Sequence, residues 1–139
     1  MFESSLYKKN AACGFNRPAD LGGKLRIAHG FYKPDGTEKP GSVFKLATLP
    51  KGARVLALSK ISFAEGQKDG LKISVGDAGK VDRYLESSEV KASGGSFALA
   101  AGMFDDFVTP AETVVTLTTA GAALAADALI VFDIVYVAD

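Results

Sequence analysis

The sequence predicts an all-β protein: a β-sandwich of jelly-roll type carried behind an extended N-terminal arm. Two observations predict it. Five stretches, residues 24–32, 43–49, 53–63, 71–75 and 129–137, alternate apolar and polar side chains at the two-residue period that sends neighbours to opposite faces of a sheet. Between them lie clusters of Gly, Pro and Asp, whose backbone preferences suit turns rather than regular structure.

The 139 residues are a one-domain length, divided into an arm at 1–23 and a single sandwich domain at 24–139. The arm holds Phe2, Leu6, Tyr7, Phe15 and Leu21 at no consistent period, broken by Pro18 and the Gly22-Gly23 pair. So many large apolar groups in a polar segment favour docking over a frayed terminus. From Lys24 the pattern becomes regular, with Leu25, Ile27, His29 and Phe31 in one row and Lys24, Arg26, Ala28 and Gly30 in the other. The apolar row is expected to face the core, with His29 partly buried within it. Lys33-Pro34-Asp35-Gly36 opens a turn. Residues 43–49 form a strand, Pro50-Lys51-Gly52 a tight connection, and 53–63 the longest central strand. A further turn at 64–70 precedes Leu71, Ile73 and Val75, which alternate with Lys72 and Ser74.

The pattern blurs between residues 76 and 110, where 82–91 reads as a short helix and 96–103 as strand or loop. β-Branched character returns at 113–119, and 129–137 is apolar on both faces apart from Asp133, as suits a strand covered on both sides. Residues 120–128 are alanine-rich, yet glycine opens them and strands flank them, so a connection with at most a turn of helix is expected. The total of about seven to nine short strands favours a jelly roll or related sandwich over an up-and-down barrel.

Composition excludes several classes of function. Lys plus Arg and Asp plus Glu number 16 each, so no broad positive field exists to hold nucleic acid or an anionic membrane. The single cysteine, Cys13, forms no internal disulfide, and the first ten residues place Glu3, Lys8 and Lys9 where a signal peptide would be apolar. Cytoplasmic synthesis is expected. Catalysis is not: the chain has one histidine and one cysteine, too few for a triad or for a His/Cys metal site. Asp77, Asp82, Asp105 and Asp106 match no calcium-loop spacing, and a solvated loop surface is the better reading. The Gly76-Asp77-Ala78-Gly79-Lys80 run lacks the spacing of a phosphate loop. No enzyme activity, cofactor or metal is therefore expected.

The runs Leu49-Pro50-Lys51-Gly52-Ala53-Arg54-Val55-Leu56, Val75-Gly76-Asp77 with Asp82-Arg83-Tyr84-Leu85, Gly121-Ala122-Ala123-Leu124 and the closing Val135-Tyr136-Val137-Ala138-Asp139 resemble small structural proteins encoded with the head genes of tailed bacteriophages. These are head decoration or cement proteins. The resemblance spans 43–139, leaving the arm and 93–110 outside it, and contains no catalytic signature. It implies a virion protein on the outer capsid surface, cementing neighbouring major capsid protein subunits, as a homo-oligomer such as a dimer or trimer. A cement protein needs a rigid body, apolar contact groups and near-neutral charge that lets copies pack densely. The candidate capsid or partner interface is Phe2, Leu6, Tyr7 and Phe15 of the arm, with Arg83, Tyr84, Phe104 and Phe107. For Arg83 and Tyr84 the plainer reading is that they pin their loop to the body; for Phe104 and Phe107 it is a plug over one end of the sandwich. The alternative function is a carbohydrate- or receptor-binding sandwich of a virion, weakened by the absence of tryptophan.

Overall fold

The computed structural model describes residues 25–101 and 107–138. Their nine strands are β1 (Leu25–Tyr32), β2 (Val43–Leu49), β3 (Ala53–Val55), β4 (Lys60–Phe63), β5 (Lys72–Gly76), β6 (Leu85–Glu89), β7 (Gly95–Ala98), β8 (Thr113–Ala120) and β9 (Ile130–Ala138). All pairings are antiparallel and form two sheets. One runs β1-β9-β4-β7, with β3 also on β9; the other runs β2-β8-β5-β6. No α-helix occurs among the described residues.

The inner faces of the two sheets make one core. Ile61, Phe63, Ile130, Phe132 and Ile134 meet Leu49, Ile73, Val75, Val115 and Leu117, all buried, with Leu71, Leu99 and Leu124 closing the margins. Each strand contributes alternate residues, which is why a two-residue period in sequence becomes a two-sided layer. Tyr32 and Phe44 join the sheets near one edge, their ring centroids 5.0 Å apart.

The structure revises three sequence expectations. Residues 53–63 are two strands rather than one. Between Val55↔Tyr136 and Lys60↔Asp133 the first chain advances five residues while β9 advances three, so the excess is accommodated as a bulge. Ser59 repairs the ladder there: its hydroxyl donates to Val135 O (3.1 Å) and accepts from Val135 N–H (2.7 Å). Both groups are buried, and alanine would leave the Val135 N–H without that partner, while the Val135 C=O keeps the Leu56 N–H (2.8 Å). Ser59→Ala is expected to destabilise the fold by about 1–3 kcal/mol, read by denaturant unfolding; no change would mean water fills the bulge.

The second revision concerns 82–91, which contains β6, a strand paired with β5, instead of a helix. Helical spacing of Val81, Tyr84 and Leu85 loses to pairing, since Val75 accepts the Tyr84 N–H at 2.8 Å and Leu71 accepts the Val90 N–H at 2.8 Å. The third is the face of β1. Leu25, Ile27, His29 and Phe31 point outward, while Ala28, Gly30 and Tyr32 take the inner side. The period was right and its phase was reversed.

Candidate interaction surfaces

Residues 76–84 form a loop organised by one carboxylate. Asp77 Oδ1 accepts the N–H groups of Gly79 and Lys80, both at 2.9 Å, and Oδ2 accepts Arg83 Nε at 2.7 Å. Backbone amides arranged around an anion are what a phosphate loop offers, but here the anion is the chain's own Asp77, which is buried. Gly76 permits the turn, because a Cβ there would lie 2.2 Å from Lys80 O. The look-alike of a nucleotide motif is thus a self-capped structural loop.

Arg83, held at Nε by Asp77, sits over Phe107, with Cζ 3.7 Å from the ring centroid. Two residues after Phe107, Thr109 ties this segment to the turn at 50–53. Thr109 Oγ1 donates to Pro50 O (2.6 Å) and accepts the Ala53 N–H (2.8 Å), while the Gly52 N–H reaches Thr109 O (2.8 Å). The Pro50-Lys51-Gly52 turn and the segment around Thr109 are therefore one unit. Between this unit and the outer face of β2 and β8 runs an open groove of about 540 Å³, bounded by Lys45, Asp77, Arg83, Phe107, Glu112 and Val114. It mixes an apolar floor with charges of both signs, a composition also found at protein contact surfaces.

Of the sequence-derived interface residues, Arg83 and Phe107 come together at this groove. Phe2, Leu6, Tyr7, Phe15 and Phe104 lie outside the described residues. Tyr84, also expected at a partner surface, is instead only 3% exposed and packs in the core. Its N–H and C=O are spent on Val75 O and Ala101 N–H, which is the anchoring role named as its plainer reading. Among the described residues no group of three or more His, Cys, Asp or Glu is placed to hold a metal.

The Tyr84 hydroxyl is buried and, among the described residues, has no hydrogen-bond partner. Burial, with the Asp77 charge adding to it, pushes its pKa up from 10.0 to about 12. A folded-state pKa above the unfolded one favours the folded protein until the unfolded tyrosine begins to ionise. That advantage is complete below roughly pH 10 and is lost as pH rises from there toward 12. Tyr32 behaves alike: its hydrogen bond to Glu38 Oε1 (2.5 Å), then burial, raises it to about 12. Tyrosinate absorbance is expected to show both rings ionising only together with alkaline unfolding; ionisation of either at ordinary tyrosine pH in the folded protein would contradict this. Tyr84→Phe removes an unpaired hydroxyl and is expected to be neutral or stabilising by up to about 1 kcal/mol.

Sequence reasoning did not single out Ser59, Thr109 or the exposed face of β1. Isolated small hydroxyls near turns carry no signal of the backbone groups they reach across 76 and 56 residues of chain. The β1 face had a visible signal, the lone histidine in an apolar row. Its side chain is 64% exposed and its Nδ1 meets Asp133 Oδ1 across the strand pair.

No protein-family model and no curated protein matches the sequence. Solved structures do. The chain superposes on a chain of the cyanophage Pam1 capsid asymmetric unit at TM-score 0.64 and 21% identity, covering 86% of this chain and 88% of that one. A chain of the Ralstonia phage GP4 capsid gives TM-score 0.67 at 20% identity, with the same 86% and 88% covered. A chain in the acidic stable capsid of Helicobacter pylori bacteriophage KHP30 gives 0.57 at 20%, covering 81% and 86%. At these identities the likeness is one of fold, and it extends over 81–86% of the chain.

Proposed function

We propose that this chain is a bacteriophage virion structural protein that sits on the outer capsid surface and cements neighbouring major capsid protein subunits. The observation that carries the reading is the fold shared with chains from three phage capsids over at least four-fifths of the length. The strand order supports a jelly-roll assignment: two four-strand paths, β1-β9-β4-β7 and β2-β8-β5-β6, with early strands beside late ones, are what winding a long hairpin into two sheets produces. The role is structural and not enzymatic, and needs no cofactor. Its loops are self-satisfied, as Asp77 and Thr109 illustrate, so the body is rigid and contact falls to surfaces such as the Arg83–Phe107 groove.

In this reading the arm at 1–23, with Phe2, Leu6, Tyr7 and Phe15, reaches a neighbouring subunit, and Phe104 adds to the contact made by Arg83 and Phe107. Copies associate as homo-oligomers, so that each second attachment is made at raised effective concentration. The protein is made in the host cytoplasm and ends in the virion, touching neither nucleic acid nor membrane. The test is co-sedimentation with expanded, undecorated phage shells, comparing the full chain with one lacking 1–23. Saturable binding in fixed ratio to capsid subunits, weakened by the deletion, is the expected result. Failure of the folded full chain to bind overturns the reading and turns attention to glycans.

A further inference from the structure

We infer that the outer face of β1 is a self-association surface on which a second copy of this chain sits about a twofold axis. The inference builds on the part of the proposed function in which copies associate, and assigns that association to a surface.

Leu25, Ile27 and Phe31 are 57, 62 and 69% exposed and stand in one row. The other exposed large apolar side chains are dispersed, from Val43 on β2 to Leu58 in the bulge and Val81 in the loop before β6. Across the ladder, Leu25 faces Val137, Ile27 faces Val135 and Phe31 faces Val131, and directly opposed residues of an antiparallel pair share a face. A large aromatic carries about 150–250 Å², and Leu or Ile somewhat less, so the three side chains alone present on the order of 350 Å² of apolar surface. That is within the range of the largest patch on a monomer, which is often functional, and is the apolar centre that an interface of about 800 Å² per partner requires.

The chemistry of the row favours a second copy. His29, the one titratable group of the row, meets Asp133 of β9; Lys60 on β4 lies beyond Asp133 and Arg54 on β3 beyond Val137, so basic groups border the row without interrupting it. The whole chain has formal net charge zero, so copies approach without mutual repulsion. Apolar side chains lie on both sides of His29, which makes the row complementary to its own reversal. A twofold axis lying just outside the face of β1, level with Ala28 and perpendicular to the strand, sets Leu25 of each copy over Phe31 of the other and brings Ile27 against His29, an isologous contact that closes at two copies.

Sedimentation velocity of the full chain across a concentration series, without shells, tests this. The expected result is a monomer–dimer equilibrium in which Ile27→Lys and Phe31→Lys each raise the dissociation constant roughly tenfold or more, while Leu58→Lys leaves it unchanged. Concentration-dependent protection of β1 amides from hydrogen exchange in the unaltered chain gives the same answer if a lysine variant fails to fold. A full chain that stays monomeric, whether the face is bare or covered by residues 1–24 of the same molecule, overturns the inference. So does a trimer, or a dimer indifferent to both lysines. Shell binding by a monomeric Ile27→Lys protein would leave the cement reading intact apart from self-association; a dimer that ignores shells would leave this interface intact and remove the cement reading.

Discussion

Replacing Asp77 with alanine is expected to lower the unfolding free energy by about 3–5 kcal/mol, the range found when one partner of a buried ion pair is removed. The carboxylate is 5% exposed and its guanidinium partner 17%, so neither is freely solvated in the folded protein. The substitution strands three donors: the Gly79 and Lys80 N–H groups and Arg83 Nε. It also releases Arg83 from the position that holds it over Phe107. Arg83→Met should cost clearly less, because it leaves Asp77 with its two amides and keeps an apolar stem over the ring. Urea unfolding of the two single variants and the double variant measures the order and the coupling. Equal losses for the two single variants would mean that the amides contribute nothing and the ion pair alone holds the loop.

The same loop shows what a sequence can and cannot convey. Alternation located most of the strands, because burial on one face imposes a two-residue period whatever the topology. It could not say which row of β1 lies inside. That was decided by β9, since Phe132 opposes Gly30 and its ring occupies the space a larger inner side chain would need. Nor could alternation find the break at Ser59, where the hydrogen bonds that repair the ladder come from a residue 76 positions away. At 82–91 local helical spacing competed with long-range pairing and lost. The site was less legible than the fold. Arg83 and Phe107 were named from sequence as separate features of two loops, and only the Thr109 bonds to Pro50 and Ala53 bring Phe107 to the guanidinium. Tyr84, an aromatic in a loop motif, looks in sequence like an anchor for a partner; its burial makes it an anchor for its own domain.

These positions also divide the molecule by role. Inside the sandwich, polar groups are satisfied by the chain itself, with the Tyr84 hydroxyl among the few exceptions. Outside it, an exposed apolar row lies on the edge strand β1, and a groove of mixed polarity lies beside Arg83 and Phe107. A rigid body with contact surfaces of this kind is compatible with the proposed cementing role, in which stiffness transmits load and affinity accumulates over repeated sites.

Phe132→Ala should be the most damaging single truncation in the core that also bears on that edge, at about 3–5 kcal/mol. Phe132 is 6% exposed and fills the inner side of the sheet where β1 offers only Gly30. A Cβ at position 30 would lie 2.7 Å from the ring's Cζ, so the two residues are fitted to one another. Gly30→Ala alone should destabilise, since the ring must move; in the Phe132→Ala background the same methyl enters a cavity and should be neutral or stabilising. The cycle should therefore show a coupling of roughly 1–3 kcal/mol. Strict additivity would show that the ring shifts freely and that Gly30 is there for another reason. Because β1 pairs, among the described strands, only with β9, the truncation should also raise hydrogen exchange along β1 more than along β2. A β1 loosened in this way presents its outer row poorly, so self-association should weaken even though Leu25, Ile27 and Phe31 are untouched.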